Sequence, residues 1–292
     1  MTEVLVPRRS VLYMPGANAR ALEKAKDIPA DSLIFDLEDA VAPDAKEAAR
    51  ERVCAAAASG DYGLKEIIIR VNGLDTPWCE GDLRAASQSG ASAVLVPKIN
   101  SAADIAVIEE RLREYSAPDT LGIWAMLETP SGIFNVRSIA ASSTGLTTFV
   151  MGTNDIAKEL HAEYVADRSP LLFSLSTCLL AVREAGKVIL DGVFNDIADA
   201  EGFLNEARQG RSMGFDGKTL IHPAQVDPCN DIFAPSAKEV DFASRVIEAF
   251  ETAQAEGLGV VTVDGRMIEN LHVDNARRSL ALATAIAERS RS

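Results

Sequence analysis

The chain alternates short aliphatic runs with longer amphipathic stretches, and this alternation is the feature that most constrains its fold. Eight runs of four to seven residues are rich in β-branched residues, as in parallel strands buried on both faces. They are Val11–Met14, Ser32–Leu37, Glu66–Val71, Ala93–Pro97, Leu121–Leu127, Thr147–Met151, Lys187–Leu190 and Gly217–Ile221. Between two of them, Ile105, Ile108 and Leu112 recur at helical spacing. Eight strand–helix units predict an α/β fold, a (β/α)₈ TIM barrel over residues 1–227. The alternative is a doubly wound sheet, but its GxGxxG fingerprint is absent after the first strand.

The pattern changes after about Asp227, and residues 228–292 are predicted to form a C-terminal extension of helix, hairpin and helix. The first helix spans 237–256. The hairpin, over 257–269, turns at Asp264-Gly265, a favoured hairpin dipeptide. The extension is too small for a large core of its own. We therefore expect it to pack on its own barrel or on a neighbouring subunit, and to contribute to the active site or to a subunit interface.

Composition excludes several classes of protein. The net charge of −14, from 29 basic and 43 acidic residues, argues against binding to nucleic acid, which needs a basic face. No apolar run approaches the roughly 20 residues of a membrane-spanning helix. The start, MTEVLVPRRS, does not resemble a secretory signal. The four cysteines are too far apart for a zinc motif, and we expect reduced thiols in a cytoplasmic protein.

Polar residues collect directly after the predicted strands. In a parallel barrel the carboxyl ends of the strands meet at one rim, where enzymes of this fold carry their active sites. Two such residues are Glu128, in ETPSG, and Asp155, in MGTND. Two carboxylates at neighbouring rim positions suit Mg²⁺, which takes few protein ligands and keeps several waters. The alternative is that each carboxylate caps the helix that follows it.

A second acidic cluster follows the predicted second strand. In DLED, the carboxylates of Asp36, Glu38 and Asp39 lie within four residues, an arrangement that is costly without nearby cations or donors. The cluster either orients a basic group, such as Arg70 or Lys98, or contacts substrate or the waters of a metal. Arg70, in IIIRVNG, could equally grip the substrate or form a structural ion pair.

Two further features could bind anionic groups. Gly152-Thr153-Asn154 offers backbone N–H groups at a predicted helix start, where a carboxylate can sit. Arg20 and Lys24 lie four residues apart on the first predicted helix and so share a face. They would either hold a phosphate-bearing tail or be solvated surface charges.

Seven segments together resemble the citrate lyase beta-subunit-like family, whose members include malyl-CoA lyases and (3S)-malyl-CoA thioesterases. They are RSVLYMPGANARALEKA, IFDLEDAVAPDAKEAAR, IIRVNG, VPKI, ETPSGI, MGTNDIAKEL and GFDGKTLIHPAQV. The resemblance runs from about Arg8 to the C-terminus and is strongest to the thioesterase branch. It implies a TIM barrel, a Mg²⁺ ion and an acyl-CoA or acyl-carrier substrate.

The resemblance also implies roles for individual residues. Glu128 and Asp155 match the metal ligands, and Arg70 matches the arginine that polarises the substrate's acyl or keto oxygen. Asp36 joins Arg70 as a candidate catalytic residue. The candidate substrate-binding residues are Glu38, Asp39, Gly152, Thr153 and Asn154. The candidate CoA-binding residues are Tyr13, Arg20, Lys24, Ile221 and His222.

The chain departs from the family at one position. Many members read DG-x-(M/L)-I-D in the C-terminal hairpin, and the last Asp acts as an acid/base that an adjacent subunit often donates. This chain reads DGRMIEN, so Glu269 takes that place and carries its carboxylate one methylene further out. A misplacement near 1 Å can cost about a hundredfold in rate, so the departure disfavours strict lyase geometry.

The expected function is therefore Mg²⁺-dependent hydrolysis of (3S)-malyl-CoA to malate and CoA. The alternative is carbon–carbon cleavage, of malyl-CoA to acetyl-CoA and glyoxylate or of a citryl thioester by a citrate lyase beta subunit. A non-catalytic CoA-binding scaffold would not need Arg70, Glu128 and Asp155 intact. The family suggests a homotrimer or homohexamer, with no nucleic-acid or membrane partner.

Overall fold

Eight parallel strands close into a barrel in the computed structural model, which describes residues 5–289. Each strand pairs with the next along the chain, and the eighth pairs with the first. The strands are β1 (Ser10–Pro15), β2 (Ser32–Asp36), β3 (Glu66–Arg70), β4 (Ala93–Val96), β5 (Gly122–Leu127), β6 (Leu146–Met151), β7 (Val188–Asp191) and β8 (Gly217–Leu220). The predicted barrel is confirmed, and every predicted strand end lies within one residue of the observed end.

Helices follow the strands. They are α1 (Ala19–Ala25), α2 (Lys46–Ala58), α3 (Cys79–Ala86), α4 (Ala102–Glu114), α5 (Pro130–Ala140), α6 (Thr153–Glu159), α7 (Leu172–Glu184), α8 (Ala200–Met213) and α9 (Val226–Phe233). Short 3₁₀ turns occupy Pro43–Ala45, Ser169–Leu171 and Pro223–Gln225. The start of α5 shows how sequence sets a boundary. Thr129 caps it by accepting the N–H of Gly132, and Pro130 stands in its first turn, where a missing N–H costs nothing.

The barrel interior is filled by side chains. Alternate strand residues point inward and form one buried aliphatic cluster, with Trp124 as its largest member. Because the pairing is in register, Asp36 at the end of β2 lies beside Arg70 at the end of β3, and Leu127 of β5 lies beside Met151 of β6. The register therefore brings the polar residues that end the strands to one rim.

The chain divides into two compact units. Residues 8–232 form the barrel unit, and residues 233–289 with residues 5–7 form the second. The second unit contains α10 (Ala237–Ala255), the hairpin strands β9 (Val261–Val263) and β10 (Arg266–Ile268), and α11 (Asn270–Arg289). The division predicted at residue 227 falls within α9, the helix of the barrel unit that follows β8.

The second unit has a small core of its own, in which the two helices and the hairpin pack together. Its buried members are Ala243, Val246, Phe250, Val263, Ile268, Val273 and Ala276. The hairpin turns at Asp264 and Gly265, whose φ angles are +49° and +75°. Two consecutive positive φ angles are what a two-residue type I′ turn requires, and this explains the Asp-Gly dipeptide.

None of the helices within residues 5–289 is both long enough and apolar enough to span a membrane. All four cysteines have free thiols, and three of them are buried. Burial raises the pKa of the buried Cys79 thiol to about 11, and of the Cys178 thiol to about 12. These thiols are protonated at neutral pH and are not nucleophiles.

Candidate active site

A cavity of about 410 Å³ opens at the carboxyl ends of the barrel strands. Most of the predicted site residues line it, and they come from the ends of several different strands or from the turns that follow. The predicted residues in its wall are Tyr13, Asp36, Asp39, Arg70, Glu128, Gly152, Thr153, Asn154, Asp155 and Ile221. In a closed parallel barrel the carboxyl ends of all strands meet at one rim, and these residues lie together there.

Arg70 is the central cation of the cavity, and Asp36 fixes its orientation. Arg70 Nε and Nη2 each lie 2.7 Å from one oxygen of the Asp36 carboxylate. Asp36 also accepts the backbone N–H groups of Glu38, at 2.8 Å, and Ala40, at 3.0 Å. Both Asp36 oxygens are thus occupied. These are the contacts expected of the orienting role, one of the two roles left open for the acidic cluster.

The third nitrogen of the Arg70 guanidinium meets the rest of the acidic cluster. Arg70 Nη1 lies 2.9 Å from Glu38 Oε2 and 3.3 Å from Asp39 Oδ2. Burial acts to lower the pKa of Arg70, but the nearby charges, above all that of Asp36, outweigh it and raise the pKa well above its usual value. Burial raises the pKa of Glu38 to about 7, with Asp39 and Asp36 acting in the same direction against Arg70. The Arg70 charge is therefore permanent, whereas Glu38 can titrate near neutral pH.

Tyr13 covers the face of the Arg70 guanidinium. The centroid of its ring lies 4.9 Å from Arg70 Cζ, which is cation–π distance. The Tyr13 hydroxyl lies 3.9 Å from Met126 Sδ, and burial raises its pKa. Arg70 is therefore held along one edge by a carboxylate and over one face by a ring. A side chain with so little freedom is suited to presenting charge at a fixed point.

Glu128 is a buried carboxylate that accepts a hydrogen bond from a backbone N–H group. It follows β5, is only 2% exposed, and its Oε1 accepts the backbone N–H of Lys98 at 2.8 Å. Burial, with the negative charges of Glu38 and Asp155 acting in the same direction, raises the pKa of Glu128 to about 8. Thr129 rather than Glu128 caps the following helix. The capping alternative therefore does not describe Glu128.

Asp155 is the third residue of α6, and its half-buried side chain lines the same cavity. No side chain caps α6, so the capping alternative does not describe Asp155 either. Within residues 5–289 its carboxylate has neither a hydrogen-bond donor nor a salt-bridge partner. Gly152 packs against Glu128, since a Cβ there would come within 2.6 Å of Glu128 Oε2. The missing side chain leaves room for the Glu128 carboxylate beside the start of α6.

The Glu128–Asp155 pair fits a divalent cation. Its charges repel each other in a buried setting, and a cation would relieve this repulsion. Within the described part of the chain, no group of three or more His, Cys, Asp or Glu side chains is arranged to hold a metal. Two carboxylates in a polar cavity are instead the kind of partial ligand set with which proteins hold Mg²⁺.

Some predicted residues lie outside the cavity wall. Arg20 and Lys24 are exposed on α1. His222 is half-buried, and its Nδ1 accepts the N–H of Ala224 at 3.2 Å, where it caps a 3₁₀ turn. Glu269 belongs to the second unit, directly after β10, and its N–H donates to His272 Nδ1 at 3.2 Å. The roles predicted for these residues stay predictions.

The structure also shows contacts at the site that the sequence did not predict. Lys98 holds Glu128 through its backbone and has φ of +53°, unusual for a residue with a side chain. Asn195, after β7, lines the cavity and exchanges two amide hydrogen bonds with Asn154, at 2.7 and 3.1 Å. Thr219, on β8, also lines the cavity. Their positions directly after or at the ends of strands were the available signal.

Comparison with known proteins gives consistent results. Residues 9–223 match the HpcH/HpaI aldolase/citrate lyase family. A (3S)-malyl-CoA thioesterase of Cereibacter sphaeroides (strain KD131) is 50% identical over 281 residues, covering 96% of each chain. The citrate lyase subunit beta of Escherichia coli K12 is 42% identical and covers 94% of this chain and 93% of its own.

A solved structure agrees with these relatives. Protein CitE from Mycobacterium tuberculosis, crystallised with magnesium, acetoacetate and coenzyme A, is 28% identical in sequence. It superposes with a TM-score of 0.77 over 94% of this chain and 97% of its own. The family match spans most of the barrel, and the similarity to the thioesterase extends through the second unit. The chain therefore belongs to the HpcH/HpaI aldolase/citrate lyase family.

Proposed function

We propose that this protein is a Mg²⁺-dependent acyl-CoA enzyme that hydrolyses (3S)-malyl-CoA to malate and CoA. The observation that carries the proposal is the buried Glu128 carboxylate beside Asp155, in a cavity that also presents the fixed cation Arg70. The relative named a (3S)-malyl-CoA thioesterase, 50% identical over nearly the whole chain, supports the choice of substrate and reaction.

Glu128 and Asp155 would hold the metal, as their pairing in the cavity supports. Protein CitE from Mycobacterium tuberculosis was crystallised with magnesium, acetoacetate and coenzyme A, which fits a protein that binds both a metal ion and a CoA compound. Bound Mg²⁺ would supply positive charge that polarises substrate oxygen atoms. With a pKa near 8, Glu128 must lose its proton before it can act as a ligand.

Arg70 would stabilise the charge that develops on the thioester oxygen. In hydrolysis, water adds to the thioester carbonyl, the C–S bond breaks, and the proton from water passes to the departing thiolate. Negative charge builds on the carbonyl oxygen, and a preorganised cation lowers the barrier without having to move. Asp36 and Tyr13 keep Arg70 in place, so Asp36 acts as a positioning residue.

Other residues would bind the substrate and direct the water. Glu269 would act as the base that activates water, supplied by a neighbouring copy of the chain. Glu38, Asp39 and the turn formed by Gly152, Thr153 and Asn154 would contact the malyl group. The CoA-binding set would be Tyr13, Arg20, Lys24, Ile221 and His222. Arg20 and Lys24 are exposed cations on one helix, available to phosphate groups.

A second candidate function is carbon–carbon cleavage. The citrate lyase subunit beta of Escherichia coli, 42% identical, favours it. The same site would then stabilise the enolate of acetyl-CoA, because both reactions build negative charge on the thioester oxygen. The Glu269 carboxylate in place of the Asp found in many members favours hydrolysis. We further propose a cytoplasmic homotrimer or homohexamer, because a base supplied across subunits requires an oligomer.

The test is a product balance on (3S)-malyl-CoA, with Mg²⁺ and again with EDTA. We expect free CoA and malate in equal amounts, no glyoxylate, and no turnover in EDTA. Equal amounts of glyoxylate and acetyl-CoA would establish the lyase instead. Turnover that is unchanged by EDTA would overturn the metal-dependent mechanism.

A further inference from the structure

An ionic quartet surrounds Asp191 at the end of β7, formed by Arg168, Asp191, Glu206 and Lys218. Asp191 and Lys218 are fully buried, and Arg168 is 5% exposed. Arg168 Nη1 lies 2.7 and 2.9 Å from the two Asp191 oxygens, and Lys218 Nζ lies 2.6 Å from Glu206 Oε1 and 3.3 Å from Asp191 Oδ2. Two cations thus balance two anions. Burying this many charges is costly and seldom improves stability over apolar packing.

Lys218 makes one contact that charge balance does not require. Its ammonium also donates a hydrogen bond to the backbone carbonyl of Gly192, the residue that follows β7. Gly192 packs directly against the start of α6, because a Cβ at Gly192 would come within 2.7 Å of Thr153 Cγ2 and 2.8 Å of the Met151 carbonyl. The ammonium therefore holds a backbone segment against Thr153.

The Asp191-Gly192 segment contacts two residues that line the cavity, Thr153 and Thr219. Thr153 begins the seven-residue helix α6, which carries Asp155 two residues later. On the other side, the Thr219 hydroxyl donates to the Asp191 carbonyl at 3.0 Å, and Thr219 lines the cavity. A shift of the Asp191-Gly192 backbone would consequently be transmitted to Thr153 and Thr219 by direct contact.

We propose that Lys218 is a positioning residue for the active site, which sets the place of Asp155 through Gly192 and Thr153. This inference rests on the proposed function, since it assigns Asp155 to the metal. Groups that orient metal ligands without touching the metal are worth about tenfold to a hundredfold in metal affinity or activity. Lys218 lies in the segment GFDGKTLIHPAQV, on the strand β8.

Two variants separate positioning from charge balance. Glu206→Gln removes one anion but leaves Lys218 free to hold the Gly192 carbonyl. The double variant Lys218→Met with Glu206→Gln removes one cation and one anion, so that the Arg168–Asp191 pair remains balanced. The two proteins differ only at Lys218. For each variant, the affinities for Mg²⁺ and for CoA are measured by calorimetry. kcat is measured with (3S)-malyl-CoA as substrate, and folding is checked by circular dichroism.

We expect Glu206→Gln to bind Mg²⁺ and turn over within about threefold of wild type, and the double variant to lose about tenfold or more in both. CoA affinity should fall less than Mg²⁺ affinity in the double variant, because Arg20 and Lys24, the exposed cations among the predicted CoA-binding residues, lie on α1. A double variant with wild-type Mg²⁺ affinity and kcat would overturn the positioning role, as would equal losses in the two variants.

Wild-type protein that fails to bind Mg²⁺ would overturn the proposed function, and the role of Lys218 with it. Wild-type binding together with an unimpaired double variant would overturn the role of Lys218 alone. Should the double variant not fold, Gly192→Ala takes its place, because it displaces Thr153 while leaving all four charges intact. Wild-type Mg²⁺ affinity in folded Gly192→Ala would contradict the transmission through Thr153.

Discussion

Arg70 and Asp36 form a two-point ion pair, in which the Nε and Nη2 atoms of the guanidinium each lie 2.7 Å from a separate carboxylate oxygen. The two residues are paired in register at the ends of β2 and β3, so the backbone already places them side by side. The pair leaves only Nη1 for the other carboxylates of the DLED cluster. This geometry gives the cavity one cation whose direction is fixed before substrate arrives.

Replacing Arg70 with Lys should reduce kcat/KM for thioester hydrolysis by about a hundredfold or more, since an ammonium cannot form the two-point pair and present charge in the same direction. The matched control is Arg137→Lys. Arg137 makes the same two-point contact with Glu184, at 2.7 and 2.8 Å, but with a side chain that is 80% exposed. Steady-state kinetics on both variants make the comparison. Equal activity of the two would contradict the role of Arg70.

Lys98 should act through its backbone more than through its ammonium. Its N–H holds Glu128, and its φ of +53° is one that glycine adopts freely and β-branched residues avoid. Lys98→Gly should therefore keep most of the Mg²⁺ affinity, whereas Lys98→Val should lose about tenfold. Calorimetric titration with Mg²⁺ distinguishes them. Similar losses in both variants would instead assign the effect to the ammonium.

Gly152→Ala should impair metal binding, because the added Cβ would lie 2.6 Å from Glu128 Oε2 and the neighbouring backbone would have to move. Overpacking of this kind costs about 1–3 kcal/mol in the free energy of unfolding. Gly145→Ala is the control, since a Cβ there meets nothing closer than 3.5 Å. Thermal unfolding and Mg²⁺ titration are the measurements. A Gly152→Ala protein as stable and as active as the control would show that the close packing is dispensable.

The raised pKa of Glu128 makes the stability of the metal-free protein depend on pH. Between its ordinary value of 4.5 and about 8, the folded protein retains a proton on Glu128 that the unfolded chain has released. The free energy of unfolding should therefore fall as pH rises through that window, and less so in Glu128→Gln. Glu38, also raised, is present in both proteins, so the difference reports on Glu128. Melting temperatures in EDTA across this range check the prediction, and identical pH profiles would contradict it.

Mg²⁺ binding should show the opposite dependence on pH. Because the Glu128 proton must leave before the carboxylate can bind the ion, affinity should rise by roughly tenfold per pH unit up to about pH 8 and then level off. Proton release can be measured directly, by comparing binding enthalpies in buffers with different ionisation enthalpies. An affinity that does not change with pH would mean that Glu128 is already ionised, or is not a ligand.

The sequence was sufficient to predict the barrel and the set of carboxylates at its rim. Buried parallel strands are continuous aliphatic runs, so the residue that ends each run, such as Asp36 or Glu128, marks the rim directly. The Asp-Gly turn in the second unit was equally visible, because its two positive φ angles restrict the residue types.

Contacts between distant segments could not be predicted in the same way. Lys218 was correctly placed in a strand, yet its partners come from β7 and α8, and no local pattern indicates which acid a buried lysine meets. The left-handed backbone of Lys98 is likewise imposed by the tertiary structure, since lysine has no intrinsic preference for it. Such residues become apparent only once the strands have been assembled.

The most direct test of the account is the amount of malate and CoA formed from (3S)-malyl-CoA by wild-type and Glu128→Gln proteins across a Mg²⁺ titration. We expect saturable, Mg²⁺-dependent hydrolysis by the wild type and no Mg²⁺-dependent turnover by the variant, which should remain folded by circular dichroism. Undiminished, Mg²⁺-dependent turnover by Glu128→Gln would contradict the assignment of the metal site and the mechanism based on it.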